Sequence, residues 1–173
     1  TLLLTGLCYL AGYTQVKKGQ FSERAQKTLD IIYEKYGHPS SQLLTEKYPF
    51  DENFKAEYLN NSEQAAQQKK YAYLWPFSGS FSAVNTLMEL PKGKAVYQKI
   101  LDKRVLVGLR EYRDESRKPT GYASYINSAP ASDRFYDDNI WLGIDFTDSY
   151  IQTKKVVYLQ HAKEIWTFIK SGE

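Results

Sequence analysis

The chain has 173 residues, enough for one domain with a substantial core, and its 42% hydrophobic and 25% charged residues are ordinary for a globular protein. Its 23 basic and 20 acidic residues leave a net charge of +3, and the Lys pairs at 17–18, 69–70 and 154–155 are scattered, so nucleic-acid binding through a clustered basic face is not expected. The single cysteine, Cys8, excludes an internal disulfide and a cysteine-based metal site, and His38 and His161 lie far apart with no nucleophile motif beside either.

Residues 1–12 form an apolar run too short to span a bilayer as a helix. They resemble the apolar region and small-residue end of a secretory signal peptide. The expectation is a signal remnant ahead of one domain over 20–173, in a protein exported to the periplasm, the cell surface or the medium. No membrane span is expected. Leu7 precedes Cys8 where a lipid-anchor signal wants a small residue, which argues against lipidation.

From Phe21 to Tyr36 the apolar positions 21, 25, 28/29, 32 and 36 follow a helical period, with Ser22 as a cap and Gly37 as a left-handed stop. Residues 38–70 carry Pro39, Pro49 and a polar run from Asn60 to Lys70, and read as a long excursion. Trp75-Pro76 then opens a helix to about Leu90, because Pro favours the first helical position. Phe77, Phe81, Val84 and Met88 share one face, and Pro91 blocks continuation.

A helix over about 94–113 buries Val96, Ile100, Val105, Leu109 and Tyr112. The Pro-, Gly- and Ser-rich segment 114–133, with Tyr122, Tyr125 and Asn127, is where ligand contacts are expected. It leads into a helix over about 134–149 capped by Ser132 or Asp133. A last helix, about 154–171, is expected to bury Leu159, Ala162, Trp166 and Ile169. No alternating strand with hairpin signals appears. The fold class is all-α, with helices paired through loops of unequal length, a pattern typical of helical-hairpin toroids.

Ser132–Gly143 holds the densest chemistry. Asp137 and Asp138 could simply complement the positive end of a helix dipole. They could also be the two carboxyl groups that glycoside hydrolysis commonly needs, about 5 Å apart when one is the nucleophile. Mid-helix neighbours diverge by about 100°, but at a helix start both can be aimed at one cavity. Two adjacent carboxylates do not both ionise easily, so one should keep its proton at the pH where the other is charged. Tyr136, Asn139 and Trp141 could orient the pair or line a sugar site, although core packing is the plainer expectation for Trp141. Ser78-Gly79-Ser80 lacks the spacing of a nucleophile elbow, and a Ser/His hydrolase is unsupported. The chain carries 15 Tyr, 8 Phe and 3 Trp; some suit stacking on a partly polar ligand, while most should fill helix cores.

Tyr-Ala-Tyr-Leu-Trp-Pro-Phe-Ser-Gly at 71–79, Tyr-Pro-Phe-Asp-Glu-Asn at 48–53 and the block from Tyr122 to Leu142, with Tyr136-Asp137-Asp138-Asn139-Ile140-Trp141, resemble glycoside hydrolase family 76 from about residue 21 onward. The resemblance implies an (α/α)6 toroid, incomplete in this chain, that hydrolyses α-1,6-linked mannan internally with retention. It implies Asp137 as nucleophile, Asp138 as general acid/base, and Trp75, Tyr136 and Asn139 as substrate-binding candidates. No metal or organic cofactor is implied. Such a toroid needs about twelve helices and five are expected here, so the chain reads as an N-terminal half whose inner apolar faces lie uncovered. The alternatives are a non-catalytic glycan-binding helical module, or a related toroid enzyme on another sugar, such as a glucuronyl hydrolase or an epimerase.

Overall fold

The computed structural model describes residues 19–55 and 69–172. The expected signal remnant at 1–12 and most of the polar run 60–70 lie outside them. Helix α1 is Gln20–Tyr36, α2 Leu74–Met88 and α3 Gly93–Ile100. The chain continues from α3 through a π-helical turn at Leu101–Val105 into α4 (Leu106–Leu109) and a 3-10 turn at Arg110–Tyr112. Helix α5 is Tyr136–Thr153 and α6 Val156–Lys170. The architecture is all-α, with one addition to the expected elements. Arg113–Asp114 (β1) and Gly121–Tyr122 (β2) pair antiparallel, a two-residue ladder too short to leave an alternating pattern in the sequence.

Helix α2 is the central element. Phe77, Phe81, Val84 and Met88 are all buried, as their spacing predicts. Its neighbours are α1, α3 with the turns that follow, and α5, while α5 pairs most extensively with α6. Phe81 meets Phe146 of α5 edge-on at 5.0 Å, and Phe77 lies 5.2 Å from the Tyr112 ring. Each such fully buried side chain contributes about 1.5–3 kcal/mol of transfer free energy. Tyr112 also donates from its hydroxyl to the Ala72 carbonyl at 2.6 Å, which satisfies a phenol in an otherwise apolar core.

Between α2 and α5 a polar cluster interrupts that core. Ser82 donates to Asp145 Oδ2 at 2.8 Å, Asn85 donates to the Asp145 carbonyl at 2.8 Å, and Ser149 donates to Asn85 Oδ1 at 2.8 Å. Burial pushes Asp145 up to about 6, even though the Ser82 and Asn85 bonds pull the other way.

Several expected details change. Gly37 is extended (φ −62, ψ 122) rather than left-handed, because Gly37 bridges to Leu44 in the segment that turns back along α1. Glycine is still required there: a Cβ would strike the Tyr33 carbonyl and come within 2.7 Å of the Arg104 guanidinium. Ser22 donates to the Gly19 carbonyl instead of capping the helix start. Val96 is exposed, and Tyr97 faces the core in its place.

In α6 the buried residues are Tyr158, Ile165 and Phe168. The expected stripe of Leu159, Ala162, Trp166 and Ile169 instead lines an open apolar groove of about 560 Å³ shared with Ile140 and Ile144 of α5. Trp166 is 59% exposed there. Among the described residues no helix is long and apolar enough to cross a membrane.

Candidate active site

The segment before α5 is fastened on both sides. Asp114 accepts from the Ser116 hydroxyl at 2.6 Å and from Arg117 Nε at 2.5 Å, and these bonds hold its carboxyl down at about 2 against the opposing effect of burial. Arg117 in turn donates to the Ser132 carbonyl at 2.7 Å, and Arg134 donates to the Pro119 carbonyl at 2.6 Å. Ser132 and Asp133 do not cap α5. Ser132 Oγ accepts from the Tyr125 N–H at 3.0 Å and the Asp133 carbonyl accepts from the Ser124 N–H at 2.7 Å, which ties this strand of the loop to residues 124–125. The helix therefore begins two residues later than the polar side chains suggest, with Phe135 at its N-cap.

Asn139 fixes the first turn. Its amide is fully buried, accepts from the Tyr122 N–H at 2.8 Å, and donates to the carbonyls of Tyr122 at 2.9 Å and Phe135 at 2.8 Å. With those contacts it holds the helix start to β2, and it is not placed to touch a sugar as expected.

That anchoring sets the direction of the two residues just ahead of it. Asp137 and Asp138 line one cavity of about 620 Å³, together with Glu46, Tyr73, Trp75, Pro76, Ser124, Phe135 and Trp141. The volume falls within the roughly 300–1,000 Å³ of ligand pockets. Burial, followed by the charge of Asp137, pushes Asp138 up to about 6. Asp137 is exposed while Asp138 is partly buried, so burial acts unequally on the two carboxyl groups.

Trp75, 68% exposed, and Trp141, 54% exposed, present large aromatic surfaces at this cavity. Trp141 stands four and three residues after the aspartates, on the same side of α5, so it belongs to the cleft and not to the core. Tyr136 turns the other way. Its ring stacks on Phe168 at 5.0 Å, and it does not line the cavity. Tyr122 and Tyr125 are buried, and Asn127 donates to the Arg113 carbonyl, so loop 114–133 contributes mainly as a scaffold, with Ser124 reaching the cleft.

Glu46 carried no sequence signal, and Tyr73 none beyond its place in the 71–79 block. They come together because residues 44–46 pair with 70–72: the Ala72 N–H donates to the Leu44 carbonyl at 2.9 Å and the Glu46 N–H to the Lys70 carbonyl at 3.2 Å. The Tyr73 N–H then donates to Glu46 Oε2 at 3.3 Å. The histidines lie elsewhere: His38 sits against Phe50 and Tyr71, and His161 stacks on Phe146.

No family model and no curated relative matches the chain. Solved structures do. A family 76 glycoside hydrolase (mannosidase) from Bacteroides thetaiotaomicron superposes with a TM-score of 0.65 at 24% identity, over 87% of this chain and 37% of that one. A family 76 glycoside hydrolase from a bovine strain of the same species gives 0.63 at 25% identity, over 86% of this chain and 29% of that one. The chain spans about a third of the length of these enzymes. It has the helical toroid fold of glycoside hydrolase family 76, in part.

Proposed function

We propose that this chain belongs to an exported, retaining, endo-acting glycoside hydrolase that cleaves α-1,6-mannosidic linkages. The observation that carries the reading is one cleft lined by Asp137, by Asp138 with its carboxyl pushed up to about 6, and by two exposed tryptophans. The Asp137 carboxylate attacks the anomeric carbon, and the glycosidic C–O bond breaks as the Asp138 proton passes to the departing oxygen. Water then attacks the glycosyl ester, giving its proton to Asp138 and releasing Asp137. Two inversions leave the anomeric configuration unchanged. A carboxyl pushed up to about 6 by burial and by the Asp137 charge suits the residue that must hand over a proton. Trp75 and Trp141 are the stacking surfaces for the polysaccharide.

The test is reducing-end release from linear α-1,6-mannan by the intact protein and by its Asp137→Asn and Asp138→Asn variants. Loss of about 10³-fold or more in both is expected, because each removes a group that acts in the bond-breaking step. Near-normal turnover in both variants overturns the assignment. Mannan binding that survives both changes, with no reducing ends from any variant, identifies a glycan-binding module instead.

A further inference from the structure

We infer that Glu46 is a substrate-positioning residue of this cleft, accepting hydrogen bonds from hydroxyls of a sugar bound beside Asp137 and Asp138. The inference rests on the hydrolase reading above and adds a specificity determinant to it. Among the described residues, Glu46 is the one charged side chain lining the cavity that does not come from α5. It reaches the cavity from a different part of the chain, held there by the backbone pairing of 44–46 with 70–72 and by the Tyr73 N–H at 3.3 Å.

The rest of the lining explains why such a group is needed. Trp75, Phe135 and Trp141 offer apolar surface, which holds a sugar ring but does not distinguish one hydroxyl from another. The Tyr73 hydroxyl is shut away from solvent, without a hydrogen-bond partner among the described residues. A carboxylate accepts about four hydrogen bonds, so holding the Tyr73 N–H does not by itself prevent Glu46 from receiving sugar hydroxyls. Charge-assisted bonds of this kind are roughly twice as strong as neutral ones. A second negative group beside Asp137 also favours the positive charge that develops on the sugar ring as the glycosidic bond breaks. Its field is already felt in the site: after burial, the Glu46 charge is the next cause pushing Tyr73 up to about 12.

The test uses the intact protein on an aryl α-1,6-mannobioside and its 2-, 3- and 4-deoxy analogues in the sugar that carries the scissile bond. A site built around a hydroxyl rejects the analogue lacking it strongly, so wild type should lose about 10²-fold or more in kcat/KM on at least one analogue. In Glu46→Gln the rate on the parent compound should fall to a similar level, and the penalty for that one analogue should shrink to a few-fold. Glu46→Asp, which keeps the charge, should retain the analogue's penalty with a smaller loss on the parent. Equal losses across all sugars, or no loss at all, overturn the inference. Should Glu46→Gln fail to fold, the Glu46→Asp comparison decides on the same terms, a penalty on every analogue equal to that of wild type overturning it when the parent rate is also unchanged. An inactive Asp137→Asn variant beside an unaffected Glu46→Gln removes this role and leaves the hydrolase reading standing. An active Asp137→Asn variant removes the hydrolase reading itself.

Discussion

Replacing Asn139 by alanine separates a positioning residue from a substrate contact. The amide serves the Tyr122 N–H, the Tyr122 carbonyl and the Phe135 carbonyl, all at 2.8–2.9 Å in a fully buried setting. The Phe135 carbonyl still receives the Asn139 N–H at 3.2 Å after truncation, so the cost falls mainly on the two groups of Tyr122. A buried polar group losing its partner costs about 1–3 kcal/mol, which for the two groups gives a total of about 2–6 kcal/mol. For a chain of this size, at about 2–4 °C per kcal/mol, that corresponds to a fall in Tm of about 4–24 °C. Thermal and urea melts of Asn139→Ala measure it, with Asn139→Asp as the companion that keeps one acceptor and loses the amide donor. A stability change under about 0.5 kcal/mol, accompanied by weakened sugar binding, would refute this reasoning and return Asn139 to the substrate.

Other consequences follow from particular contacts. Asp145 has a folded value of about 6 against 3.8 unfolded, so its own contribution to stability should be level below about pH 4, fall as pH rises from about 4 to 6, and stay lowered above. The drop should be on the order of 2–3 kcal/mol, and Asp145→Asn should flatten it in melts taken across that range. Gly108→Ala places a Cβ 2.6 Å from the Phe77 ring and 2.7 Å from the Gln42 carbonyl, and about 1–3 kcal/mol of destabilisation should appear in the melt. Trp141→Ala should weaken mannooligosaccharide binding about tenfold, or ~1.4 kcal/mol by calorimetry, with little change in Tm because the ring is already exposed.

The core of α2 was legible because a helix buried on one face repeats its apolar residues at a single period, as Phe77, Phe81, Val84 and Met88 do. Helix α6 defeats the same logic, since it is apolar on two sides. Leu159, Ala162, Trp166 and Ile169 form as regular a stripe as Tyr158, Ile165 and Phe168, and period alone does not say which meets α5 in its core. Position on a helix likewise separates Tyr136 from Asp137 and Asp138 only once the anchoring of the first turn is known. The adjacent carboxylates were visible as a motif, whereas Glu46 reaches them through pairing between segments 25 residues or so apart, whose register nothing local announces. Trp141 read as core because large aromatics usually are, and it is the cleft's aspartates three and four positions away that give its exposure a purpose.

The proposed division of labour between the two aspartates is open to direct chemical capture. A fluorinated α-mannobiosyl fluoride, which forms a glycosyl ester quickly and hydrolyses slowly, should label the intact protein once, and peptide mapping by mass spectrometry should place the label on Asp137. Asp138→Ala should still accept the label, because fluoride departs without a proton, while Asp137→Ala should not. A label on any other residue, or none after prolonged incubation with protein that still cleaves mannan, would contradict Asp137 as the nucleophile.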